Sequence, residues 1–426
     1  MKPTKTHPYI KALIIVAGIA ITFSSCSKSE EEGGTTSSTT TTTSTSTSGS
    51  TYSQSSGTVT ESGKTYSSAT TDLSAVKVTG GTYTISGSTI SSSGNTSSTD
   101  NSSFYGLNAV VLAYASSGTA SIVSSGNKIT SSGTGANGIF AYGTGTITST
   151  GDKISCTGDG GHAIMASGGG TVTVTNDTTS TTGGSSSNIA TDRGGGTITV
   201  TGGVYTSSGN NSAAIYSTGT ITCNNATLTA SGAEAIVIEG ANKAILNNCT
   251  TKSSYNKWGA LIYQSASGDA SGTTGSLTIS GGTFTYTGTS GGMFYNTNDS
   301  AYVYLTGVTL SNSCDTLVRC IKGSWGGSSA TSGGCTHLVC SGQTVKGLIH
   351  ADANSKVYLT LKSSSAFNGR INTSNSANLA SVTIDSSSSW TLTGNTYLSS
   401  LYDADTSYSN ITANGYKLYV NNVQLK

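Results

Sequence analysis

Apolar and polar residues alternate along most of this chain in short bursts, and the bursts repeat. A branched apolar residue opens each one, a small polar turn follows, and Gly-Thr-Ile/Val-Thr closes it. The phrase reads GIFAYGTGTITST from Gly138, AIMASGGGTVTVT from Ala163, NIATDRGGGTITVT from Asn188 and AAIYSTGTITC from Ala213. The opening residue falls at Val110, Ile139, Ile164, Ile189, Ile215, Ile236 and Leu261, 21 to 29 residues apart, with fainter copies at Met293, Leu317, Leu348 and Ile371. Repeats of this length mark a solenoid. Thr, Ile, Val and Tyr alternating over four to six positions between Gly, Asn and Ser are strand signals at period two.

The pattern therefore predicts an all-β chain. The expected fold is a right-handed, single-stranded parallel β-helix of 11–12 coils, each strand pairing with its copy in the next coil. No helix is expected in the body, because no segment after residue 26 joins a capping residue to apolar residues at helical spacing. Gly202-Gly203, Asn224-Asn225 and Asn247-Asn248 recur at matching places, and these residues tolerate the left-handed backbone of a sharp corner. One ambiguity stays open. The residues after the openers (Phe140, Met165, Tyr216, Val237, Ile262, Phe294) are apolar too, so either column could face inward.

The N-terminal pattern differs. Lys2, Lys5 and Lys11 precede an apolar run, Ala12 to Phe23, too short to span a bilayer and laid out as a secretory signal that ends at Ser24-Ser25-Cys26. A cysteine after small residues resembles the bacterial lipobox, which implies a lipidated Cys26. The following Ser27-Lys28-Ser29-Glu30-Glu31-Glu32 resembles the acidic export tag of surface lipoproteins in Bacteroidota. Residues from Gly33 to about Gly57 are almost wholly Ser, Thr and Gly, a composition that cannot bury a core. The expected organisation is a signal over 1–25, a lipidated tether over 26–57 and the β-helix with its caps over 58–426. Its expected location is the outer membrane, exposed at the cell surface.

Composition narrows the chemistry. The formal charge is +1 and charged residues make up 9%, which leaves no basic footprint for nucleic acid. The repeat from about residue 75 to 400 resembles the pectin-lyase-like superfamily, which contains polysaccharide lyases, glycoside hydrolases and non-enzymatic adhesins and autotransporter passengers. A hydrolase needs carboxylates converging on one groove, and only Asp192 and Glu239, two coils apart, occupy similar positions. His162, His337 and His350 stand without a nucleophile motif. Neither a metal nor an organic cofactor is expected. Cys320 and Cys335 bracket a Gly/Ser excursion and could form a disulfide, with free thiols as the alternative; Cys156, Cys223 and Cys249 read as small apolar residues.

Two patterns remain as candidate working surfaces. Thr146/Thr148, Thr171/Thr173, Thr197/Thr199 and Thr220/Thr222 recur in consecutive coils and resemble the threonine rows of ice-binding solenoids, although strand propensity also favours Thr. The second lies on two enlarged coils, Leu261 to Met293 and Leu317 to Leu348. Near their insertions stand Lys257, Trp258, Tyr263, Gln264, Asp269, Tyr295, Arg319, Lys322, Trp325 and His350. Aromatic faces beside amides and cations suit a sugar ring, with Arg or Lys for an acidic one; the same aromatics could instead anchor their own loops. The expected function is a non-catalytic adhesin or glycan-binding protein, with a glycan or a host or matrix ligand as partner and membrane contact through the lipid alone. A polysaccharide lyase or hydrolase is the alternative, and an ice-binding or purely structural rod is the second.

Overall fold

The computed structural model describes residues 51–267, 270–325 and 333–426. The signal, Cys26 and the tether up to residue 50 lie outside the described residues, as does Asp269. Residues 51 onward form a parallel β-solenoid of about 14 turns, more than the 11–12 expected. The additional turns lie at the ends, where no repeat phrase marks them. Tyr52–Gln54 already pairs in parallel with Val76–Val78, so the ladder starts within the segment assigned to the tether.

Up to Asn312 each coil contributes a strand segment to each of three sheets. In the middle of the rod the first sheet stacks Ile164–Ser167, Ile189–Thr191, Ile215–Ser217 and Ile236–Glu239. The second stacks Thr171–Thr175, Thr197–Thr201 and Thr220–Asn224, and the third Thr178–Thr181, Val204–Ser207 and Thr227–Ala230. The corner between the second and third sheets is a column of left-handed residues that includes Asn176, Gly202, Asn225 and Asn248, with φ between 53° and 67°. Asn or Gly at that step is the device the sequence displayed.

The openers Ile139, Ile164, Ile189, Ile215 and Ile236 face inward, and the frame slips by one in several other coils. The inward ladder runs through Val111, Ile139, Ile164, Ile189, Ile215, Ile236, Ala260, Phe294, Val318 and Ile349. Val110, Leu261, Met293, Leu317 and Leu348 are each one position early or late. Adjacent apolar residues in these coils made both frames look alike.

The next column points outward and is nonetheless buried. Leu112, Phe140, Met165 and Ala190 form an exterior apolar cluster with Tyr114, Tyr142 and Tyr216. Contrary to expectation, a helix covers it. Thr99–Tyr105 is capped by the Ser98 side chain, which accepts from the Asn101 N–H, and ends at Gly106 in the left-handed region. The helix lies across the outside of the first sheet: Ser167 Oγ donates to the Phe104 carbonyl at 2.6 Å, and Arg193 stacks 3.9 Å over the Phe104 ring. A seven-residue helix is too short to show a 3.6-residue repeat, which is why the pattern hid it. Its legible signature was Ser98 before Asp100, with Gly106 at the far end.

The third sheet is interrupted. Its ten-stranded ladder ends at Thr309–Asn312. In the next strand, Thr344–Ala351, the C-terminal half pairs back with Thr316–Cys320 in the first sheet, while residues 344–347 on the third face pair only onward, with residues 366–369. The first and second sheets run through the break. Across it the Gln343 amide accepts from the Val308 N–H and donates to the Val308 carbonyl, both at 2.8 Å, replacing ladder bonds with side-chain bonds. A cleft of about 390 Å³ opens there, floored by Met293, Leu310 and Leu317.

Candidate functional site

The two insertions leave the rod at the same corner, after Trp258–Tyr263 and after Thr316–Cys320, and their described residues Ser265, Ser267 and Trp325 lie over the outside of the first sheet. There the outward column continues as Val237, Leu261, Tyr295, Arg319 and His350 in register. Trp258 is paired with Gly292 in the next rung, and a Cβ at the neighbouring Gly291 would come within 3.0 Å of the indole Cδ1. The Trp258 and Tyr295 rings stack at 4.1 Å and 11°. Trp325, delivered by the second insertion, closes on Tyr263 at 5.3 Å, Trp258 at 5.8 Å and Tyr295 at 6.2 Å. The Ala266 N–H donates to the Trp325 carbonyl at 3.0 Å and so ties one insertion to the other. Tyr295 is buried, whereas Trp325 keeps 38% of its surface exposed.

Glu239 holds the inner edge of this cluster. It is 1% exposed, and its Oε2 accepts from the Tyr216 and Tyr263 hydroxyls at 2.6 and 2.8 Å. Its Oε1 accepts from Ser265 and Ser267. A buried carboxylate requires such a full set of donors. Tyr216, not among the residues expected here, joins the group from the same phrase position as Phe140 and Met165.

The predicted residues divide accordingly. Trp258, Tyr263, Tyr295 and Trp325 form one cluster, with Arg319 and His350 continuing the Tyr295 row. Burial, and then the Arg319 charge, push the His350 pKa below its ordinary value. The Lys257 ammonium stands 6.0 Å from the Trp258 ring and 5.6 Å from Tyr255. Lys322 is exposed, and its backbone N–H donates to Asp352 at 2.9 Å. Gln264 has a different role: its amide donates to the Ser265 and Ala270 carbonyls, which shapes the insertion from within.

Of the two alternatives for Cys320 and Cys335, the structure has the free thiols. Cys320 points into the core, where burial pushes its thiol up to about 12. Cys335 lies on the outward side of its strand, with Sγ 3.6 Å from His337 Nε2. Alternation along the strands puts the two sulfurs on opposite sides of the wall. Cys156, Cys223 and Cys249 are buried in the core as small apolar residues. Asp192 and Glu239, the two carboxylates at similar positions two coils apart, both bind the segments that cover the sheet. Asp192 accepts from the Arg193 N–H at 2.7 Å and from Ser103 of the helix.

Comparison of the chain with known protein families, with curated proteins and with solved structures finds no match. What is established is the architecture, a parallel β-solenoid. That fold is compatible with adhesins and with pectin-lyase-like enzymes alike, and it does not choose between them.

Proposed function

We propose that this protein is a non-catalytic carbohydrate-binding adhesin, displayed at the cell surface and anchored through a lipid on Cys26. The observation that carries the binding reading is Trp325: an insertion brings an indole onto Trp258 and Tyr263 and leaves it 38% exposed. An indole held at its edges by other rings offers a fixed apolar plane to a sugar, and Arg319 and Lys257 nearby favour acidic chains. Many copies on one cell would raise avidity without new contacts.

The contacts decide which variants make a clean test. Tyr263→Ala removes a donor from buried Glu239 and should cost about 1–3 kcal/mol of stability, so its binding defect would be confounded. Trp325→Ala should weaken retention on an acidic polysaccharide by about tenfold with little change in melting temperature, and Trp325→Phe should restore part of it. Normal retention with an earlier melt would make Trp325 a loop anchor and overturn the reading.

A second reading rests on the second sheet. The threonine array extends beyond the four rungs read from the sequence. Thr58, Thr82, Ser121, Thr146, Thr171, Thr197 and Thr220 form one outward column, and Thr60, Thr84, Val123, Thr148, Thr173, Thr199 and Thr222 the next. The result is a net of hydroxyls and methyls with spacings of about 4.8 Å between rungs and about 6.6 Å along a strand. Beyond Thr220 the columns change to Lys243, Tyr302 and His337, and to Ile245 and Tyr304. An uncharged two-dimensional net suits ordered water at an ice surface. Wild-type protein should then show thermal hysteresis that the double variant Thr148→Tyr/Thr199→Tyr abolishes. Absence of hysteresis in the wild type sinks this reading.

A further inference from the structure

We propose that the cleft between the helix Thr99–Tyr105 and the first coils is a second binding site, built for an anionic sugar ring of the uronate class. This inference rests on the reading of the protein as a carbohydrate binder but uses a different surface. The cleft encloses about 390 Å³, within the range of small-ligand pockets. Its floor is the start of the outward column of the first sheet, where Ser53, Lys77 and Leu112 stack in register. Tyr114 lies beside them, its ring backed by Tyr142 at 4.7 Å and 13°. One wall is the C-terminal half of the helix with Tyr105, and Leu73 forms part of the opposite rim. Tyr105 and Leu73 are each 43% exposed.

The polar groups supply the specificity. The Lys77 ammonium stands 5.6 Å from the Tyr114 ring centroid, and among the described residues no carboxylate pairs with it. A cation at the edge of an apolar plane is the arrangement that accepts a ring stacked on the tyrosine with its carboxylate toward the lysine. Asp72 is fixed in place by the Ser97 N–H at 2.7 Å and the Ser97 hydroxyl at 2.6 Å, and it offers carboxylate oxygens to sugar hydroxyls. The helix wall is itself rigid. Ser98 caps its start and the Gly106 N–H donates back to Ser102 at 3.1 Å, so little ordering remains to be done when a ligand enters.

The test is an NMR titration of the full-length chain with methyl glucuronide and the uncharged methyl glucoside. The glucuronide should perturb the Tyr105 and Tyr114 ring resonances and bind about tenfold tighter than the glucoside. Lys77→Gln, a change at an exposed side chain, should erase that preference. Tyr114→Ala should abolish binding of both sugars at this cleft, whereas Tyr114→Phe, which keeps the plane and the packing on Tyr142, should retain it. Trp325→Ala should leave all of this unchanged. An undiminished preference in Lys77→Gln overturns the proposal. Loss of glucuronide binding in Trp325→Ala but not in Tyr114→Ala also overturns it, while leaving the Trp325 surface as the carbohydrate site. Benzoate binding as tightly as the glucuronide would overturn the assigned ligand class.

Discussion

Ile189→Asp is expected to abolish the cooperative melt of the solenoid. Ile189 lies between Ile164 and Ile215 in the inward ladder, and all three are fully buried. An aspartate there has no donor in reach of the core, and burying an unpaired polar group costs several kcal/mol. A stack whose stability is the sum of neighbouring interfaces feels that cost on both sides of the rung. Thr173→Asp, on the exposed side of the second sheet, should stay within about 0.5 kcal/mol of wild type. Thermal unfolding followed by circular dichroism compares the two directly. Equal damage from both would contradict the inward assignment.

The second large effect comes from a carboxylate ladder at the corner before the third sheet. Asn127, Asp152 and Asp177 occupy successive rungs and are buried. Asp152 Oδ1 accepts from the Asn127 N–H at 2.7 Å, and Asp177 Oδ1 accepts from the Asp152 N–H at 2.9 Å. Ser149 Oγ bridges the two carboxylates, at 2.8 Å from Asp152 and 2.5 Å from Asp177. Burial raises both pKa values, and that of Asp177, with the Asp152 charge adding to the rise, reaches about 7. A raised carboxylate pKa means that the folded state holds a proton the unfolded chain has released. The stabilisation is complete below the unfolded value of 3.8 and is lost as pH climbs through about 7.

Across that window the loss is on the order of 4 kcal/mol. Asp177→Asn should therefore flatten the upper part of the profile and raise the melting temperature at pH 8. Asn127 already shows that an amide fits this corner. Its Oδ1 accepts from the Ser88 N–H and its Nδ2 donates to Ser124, both at 2.8 Å. Asp299, raised by burial to about 6, contributes in the same direction and should leave a residual slope. Melting curves from pH 4 to 8 provide the measurement, and an unchanged slope in Asp177→Asn would refute the assignment.

How much of this was legible follows from what each feature writes into the chain. Ile164, Ile189 and Ile215 repeat because parallel rungs need like residues in like places, and Asn225 and Asn248 repeat because each corner needs left-handed backbone. Such periodic demands show in any one sequence. Features that occur once do not. The helix Thr99–Tyr105 is a single event, and only its Ser98 and Gly106 caps betrayed it. The doubt about Phe140 and Met165 had a physical root: they point outward yet are buried, because other segments cover them. Trp258, Tyr263 and Trp325 were legible as a group because they flank or lie on the insertions that break the period. The internal hydrogen bonds of Gln264 and the free, oppositely directed thiols of Cys320 and Cys335 depend on side-chain direction within irregular coils, which spacing does not encode.

The interruption of the third sheet after Thr309–Asn312 also bears on how the rod comes apart. Two sheets carry main-chain bonding past that point, while on the third face the Gln343 amide and the Arg370–Asp315 ion pair stand in for it. Adjacent turns there are joined by two ladders rather than three, so the C-terminal turns are expected to unfold as a separate cooperative block. Under heat or tension the rod would fail first at this seam, and the block that carries the threonine net and the helix-walled cleft could survive the loss of its neighbour.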